Sequence, residues 1–168
     1  MKTKSKLVHF YSSAGTDSEG RTIAEILAWN DDKLEHVHNY IQWLFPLREA
    51  SAFNSDAPTL TDEDLREFAR NAALRQNMLK SFERLLRFYG LKLENGRIMK
   101  AESFPDRARN WLTSRNHNFL RITRILKCLK ILGFEKEAGM FLTCLGDIYK
   151  SHRSTIGGET YSYWMTAT

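Results

Sequence analysis

The chain has little of what marks several common protein classes. It contains only two cysteines, Cys128 and Cys144. Both lie inside apolar helical patterns and neither belongs to a CxxC or Cys/His cluster. A disulfide framework is therefore unsupported, and buried free thiols in a reducing compartment are expected. Apolar runs are short, and none approaches the ~20 residues that span a bilayer. The basic start, Met1 to Lys6, precedes an apolar stretch that His9 interrupts, too short for a signal-peptide core. There is no internal repeat and no low-complexity tract. The expected location is the cytoplasm, with the nucleus as the alternative.

Catalytic signatures are missing as well. The sequence has no GxSxG, no P-loop and no GxGxxG, and Ile156-Gly157-Gly158 lacks the strand-then-helix setting. Asp62, Glu63 and Asp64 gather carboxylates, but at a helix start, where they serve the helix dipole. His36 and His38 are two residues apart; on one helix their rings diverge by about 200°. No third ligand sits at metal spacing. The expectation is a protein that is not an enzyme and uses no metal or cofactor.

What is present is an ordinary globular balance, 42% apolar and 27% charged over 168 residues. That reads as one domain over 1–168, with 1–5 and 165–168 as loose ends. The net charge of +5 permits an acidic or nucleic-acid partner without demanding one.

The densest aromatic and apolar run is His38-Asn39-Tyr40-Ile41-Gln42-Trp43-Leu44-Phe45-Pro46. Read as one helix from Asp31, it places Leu34, Val37, Ile41, Leu44 and Phe45 on one face. His36, Asn39, Tyr40 and Trp43 fall opposite, leaving Glu35 and Gln42 as a narrow polar seam. A helix apolar nearly all round is buried. The sharper reading is that His38, Gln42 and Trp43 line a pocket suited to a peptide.

A long irregular segment, 47–60, follows, with Phe53 expected to pin it to the core. Thr61, with Asp64 as capping partner, opens a long helix that runs unbroken to Gly90. Asn95-Gly96 is the strongest two-residue turn signal. It predicts a hairpin with Leu93 facing Ile98 and Glu94 facing Arg97. Pro105 opens a short helix through Trp111, and 114–118 is a polar turn. A helix over 119–132 has Ile122, Ile125, Leu126 and Leu129 inward and Arg121, Arg124, Lys127 and Lys130 outward. Another helix covers 135–149, and Tyr161 and Trp164, three apart, mark a short docked helix. The fold class is all-α: a multi-helix domain with a small β-hairpin around Asn95-Gly96.

Several of these blocks resemble one known family. They are Leu34-Glu35 with His38-x-Tyr40 through Pro46, Asn54 with Ala57-Pro58-x-Leu60-Thr61, Phe88-Tyr89-Gly90-Leu91-Lys92-Leu93, Asn116-His117-Asn118, and Leu120 through Leu129. Together they resemble the conserved region of the opioid growth factor receptor, here as a stand-alone domain. The resemblance implies a helical fold and, through its namesake, binding of an opioid pentapeptide. It also implies a nuclear or perinuclear, peripherally membrane-associated setting. It carries over no catalytic residues.

Two functional hypotheses follow. In the first, the chain is a receptor-like module that binds a short peptide or protein segment. His38, Gln42, Trp43, Asn54, His117 and Asn118 would contact the peptide, with Arg121 or Arg124 on its carboxylate. In the second, the basic face of 119–132 associates with nucleic acid, although no recognition-helix, RRM, KH or zinc pattern accompanies it.

Overall fold

The computed structural model describes residues 3–167. The protein is all-α, with a single two-stranded hairpin among the described residues. It forms two compact units, divided after Phe82.

In the first unit, α1 (Lys6–Tyr11) starts at Ser5, whose hydroxyl accepts from the Val8 amide, and buries Leu7, Val8, Phe10 and Tyr11. Tyr11 donates its hydroxyl to the Leu44 carbonyl, and its own carbonyl accepts from the Asn77 amide at 2.6 Å. α2 (Ile23–Leu27) is opened by a Thr22/Glu25 capping box. The backbone and hydroxyl of Thr22, hydrogen-bonded to Glu25, hold that carboxyl below its usual range.

The helix predicted over 31–45 is two short helices, α3 (Asp31–His36) and α4 (Ile41–Leu44). Val37 is extended, and the hydroxyl of Tyr40 folds back to donate to the Leu34 carbonyl at 2.8 Å. The reason is the composition itself. A straight helix apolar on both sides would leave one side in water, whereas the bend buries Leu34, Tyr40, Ile41, Leu44 and Phe45 together.

The long helix expected from Thr61 is likewise divided, into α5 (Asp62–Arg70) and α6 (Ala72–Phe88). Asn71 causes the break. Its side-chain oxygen accepts from the amides of Ala73 at 3.0 Å and Leu74 at 3.3 Å, capping the second helix from within the run. The Thr61/Asp64 capping box is formed, and buried Asp64 also accepts from Ser5 at 2.5 Å.

In the second unit, Gly90 takes φ +77 after α6. The strands β1 (Leu91–Glu94) and β2 (Arg97–Lys100) pair in the predicted register, Leu93 with Ile98 and Glu94 with Arg97. Asn95 and Gly96 both have positive φ, as this turn requires. α7 (Phe104–Trp111) is anchored by the Trp111 indole, which donates to the Tyr89 carbonyl at 3.0 Å. α8 (Asn118–Ile131) and α9 (Glu135–Ser151) pack together, followed by α10 (Arg153–Ile156) and α11 (Gly158–Ala167). Trp164 of α11 is fully buried and donates to the Phe119 carbonyl at 3.2 Å.

Ser5 caps α1, and residues 165–167 are helical, with Ala167 buried. Met1, Lys2 and Thr168 lie outside the described residues. No helix among the described residues is long and apolar enough to cross a membrane.

Candidate functional site

In the first unit a chain of polar side chains runs from a loop to α4. Asp17, 4% exposed, begins it. Its carboxylate accepts from the amides of Glu19 and Arg21 and from the Arg21 Nε at 2.7 Å, an ion pair. Arg21 passes its other nitrogen to the Asn39 side-chain oxygen at 3.0 Å. The bend between α3 and α4 makes this possible, because it turns Asn39 out of helical register. Asn54, from the long loop, then donates to the Asn39 carbonyl at 3.4 Å and to the Gln42 side-chain oxygen at 3.5 Å.

Gln42 is buried, at 5% exposure. Its oxygen is engaged by Asn54, but its Nε2 donates to no group among the described residues. That NH2 group carries two donors, and it is not one of the fully buried atoms without a partner, so it faces solvent and is open to a ligand. Its neighbour Trp43 belongs to the core at 3% exposure, with its ring edge-on to Phe10 at 5.3 Å. The indole nitrogen of Trp43 is buried and has no hydrogen-bond acceptor among the described residues. His38 is exposed in the bend.

Phe53 does not pin the loop, being 83% exposed. Asn54 holds the loop instead, accepting from the Asp56 amide at 3.2 Å, together with buried Leu60, which donates to the Leu47 carbonyl at 2.8 Å. Arg48 pairs with Asp62 at 2.8 Å outside it, and that hydrogen bond lowers the Asp62 carboxyl.

The other four sequence-named residues belong to the second unit. His117 is exposed just before α8. Asn118 is fully buried, and both its backbone and side-chain nitrogens donate to the Asn116 side-chain oxygen. Arg121 is buried at 5%, not on the outer face, and donates to Asn118 at 3.4 Å. Arg124 and Lys127 are half-buried, and only Lys130 of the four cations is exposed. The basic stripe over 119–132 thus does not present four cations to a polyanion. A position-by-position helical projection missed this because it treats the face opposite the apolar stripe as solvent, whereas α8 is packed by both α9 and α11.

Of the eight residues, Gln42 and Asn54 meet in the first unit, and Asn118 and Arg121 meet in the second. Sequence reasoning missed Asp17, Arg21 and Asn39. An acid and an arginine four apart in a Gly/Ser-rich segment was the available signal.

A family profile described as the opioid growth factor receptor conserved region matches residues 2–167. The chain belongs to this family. Among relatives, the opioid growth factor receptor of Mus musculus is 44% identical over 122 residues, 69% of this chain and 19% of that protein. The human opioid growth factor receptor is 43% identical, over 69% of this chain and 18% of that protein. Opioid growth factor receptor-like protein 1 of Mus musculus is 42% identical, over 70% of this chain and 26% of that protein. The matched region is therefore about a quarter or less of each of these opioid growth factor receptor-family proteins. No solved structure matches the chain.

Proposed function

We propose that this member of the opioid growth factor receptor family is a non-catalytic, receptor-like module that binds a short peptide or protein segment in the cytoplasm. The observation that carries the reading is the Gln42 amide, its oxygen held by Asn54 and its NH2 group open to solvent at the edge of the core. An amide of this kind matches the donor and acceptor of a peptide group. Asn54 borders it as a further contact, exposed His38 lies four residues before it in the chain, and Trp43 supports it from the core. The relatives' names, which describe receptors for an opioid growth factor, support the same class of ligand. The two free, buried cysteines accord with a reducing compartment.

The test is titration of the full chain with a fluorescently tagged opioid pentapeptide, at moderate and at high salt. The expected result is saturable binding with little salt dependence, weakened by Gln42→Ala by more than its loss of stability, about 0.5–1.5 kcal/mol, accounts for. If neither this peptide nor a random pentapeptide mixture binds saturably, the reading fails. Steep weakening with salt would instead point to a polyanion.

A further inference from the structure

In the second unit, a groove of about 890 Å³ runs between β2 and α9. All four residues of β2 line one wall. The other wall is a stripe of α9 from Gly139 to Ile148. Four extended residues span about 13 Å. The ten helical residues from Gly139 to Ile148 take up about 15 Å, slightly more. The walls are thus matched in length to one extended tetrapeptide.

The strand wall is an open edge. Ala101 donates to the Gly90 carbonyl at 2.8 Å, so the 90–101 pair occupies a hydrogen-bonded position of the antiparallel ladder. Such positions alternate, so 92–99 and 94–97 are bonded too, and the backbone groups of Ile98 and Lys100 point away from β1. No third strand takes them among the described residues, and neither residue makes a further backbone bond there. An edge with paired donors and acceptors beside a groove is a template for an added strand.

The groove floor is apolar, with Met99 and Met140 half-buried and Cys144 and Ile148 buried. Over Gly139 there is open space: a Cβ built there would meet nothing within 4 Å. The rim is cationic. Arg97 and Lys100 are exposed, and neither has a carboxylate partner among the described residues. Glu94, opposite Arg97, is paired with Lys92 at 3.1 Å, and Lys100 sits over the Phe104 ring at 4.7 Å. The carboxylate on the helix wall, Asp147, is already paired with Lys150 at 3.4 Å.

We propose that the β2–α9 groove binds an extended, acidic segment of a partner polypeptide as a third strand on β2. The segment's backbone pairs with Ile98 and Lys100. Its side chains alternate between faces: the apolar ones lie on the face of β2 that carries Met99, and the carboxylates lie on the face that carries Lys100. This site is separate from the Gln42 site and does not rest on it.

The test uses the full chain labelled with ¹⁵N. It is titrated with the capped peptide acetyl-Val-Glu-Val-Glu-Val-amide and with the same peptide carrying Lys for Glu. The expected shifts fall on the amides of β2 and on 139–148. The Lys peptide binds up to about fivefold more weakly, as one exposed ion pair with Lys100 warrants. Gly139→Leu fills the groove and abolishes binding without lowering the melting temperature. Lys100→Glu reverses the preference between the peptides, and Gln42→Ala changes nothing here. Absence of binding, equal affinity for both peptides, shifts away from the groove, or full binding by a folded Gly139→Leu would each overturn the proposal. Peptide binding that is lost only in Gln42→Ala would overturn it while leaving the function proposed above intact.

Discussion

Asn54 holds its side-chain amide 3.5 Å from the side-chain oxygen of Gln42. One residue comes from the long loop and the other from a helix of four residues. The contact sets how the loop lies over the helix, and it leaves both donors of the Gln42 NH2 group to offer.

Asn54 therefore has two duties that substitution can separate. Asn54→Ala removes the acceptor for the Asp56 amide and both contacts of Nδ2. The expected cost is about 0.5–1.5 kcal/mol, with faster amide exchange over 51–57. Asn54→Asp keeps the acceptor but loses the donor, so it should recover part of the stability and none of the Gln42 contact. Chemical denaturation and hydrogen exchange read the two effects. An unchanged loop in Asn54→Ala would show that the contacts are idle.

Trp43 is a core residue, and its removal should cost about 3–5 kcal/mol as Trp43→Ala. Trp43→Phe should cost clearly less, because the indole nitrogen has no acceptor to lose. Thermal melts of the two variants decide this. A melting temperature of Trp43→Ala within a degree or two of the parent contradicts a core role.

Cys128 and Cys144 are buried and unpaired. Burial raises both thiols, and for Cys144, where nearby Asp147 adds to burial, the value reaches about 11 from 9.0. The folded state thus keeps its protons longer than the unfolded state does. This stability is fully present below the unfolded value of 9.0 and is lost as pH rises toward about 11. The melting temperature should therefore fall over that alkaline window, and less so in Cys144→Ala. Thiol labelling at neutral pH should be slow in the native protein and fast in denaturant. A mass deficit of two hydrogens in the native chain would reveal a disulfide and refute the assignment.

Gly90 and Gly96 have nearly the same backbone angle, φ +77 and φ +72. Their surroundings differ. A Cβ on Gly90 would stand 2.6 Å from the Phe104 Cα, while one on Gly96 meets nothing. Gly96→Ala should cost only the left-handed penalty, about 1–2 kcal/mol. Gly90→Ala adds a backbone collision and should cost markedly more. Equal melting temperatures for the two variants would mean that α7 can shift aside freely.

The candidate site was only partly legible in the sequence. Gln42 and Asn54 stood out because amides are unusual in or beside an aromatic run. Their partners Asp17, Arg21 and Asn39 did not, because the link depends on where a loop returns. The same limit hid the β2–α9 groove. Arg97 and Lys100 read as ordinary hairpin charges, and Gly139 as a neutral gap in a helix.

The sequence by itself determined the features that local chemistry governs. Asn95-Gly96 set the turn and, through the two-residue period, the register of the hairpin. Thr22, Thr61 and their acidic partners set helix starts, since a cap acts over three residues. Only the tertiary structure decided which faces were buried. It bent the run over 31–45 so that both apolar sides could leave water, buried Arg121 against Asn118, and left Phe53 exposed. Burial is a property of the neighbours that pack on an element, and those come from distant parts of the chain, beyond what local patterning encodes.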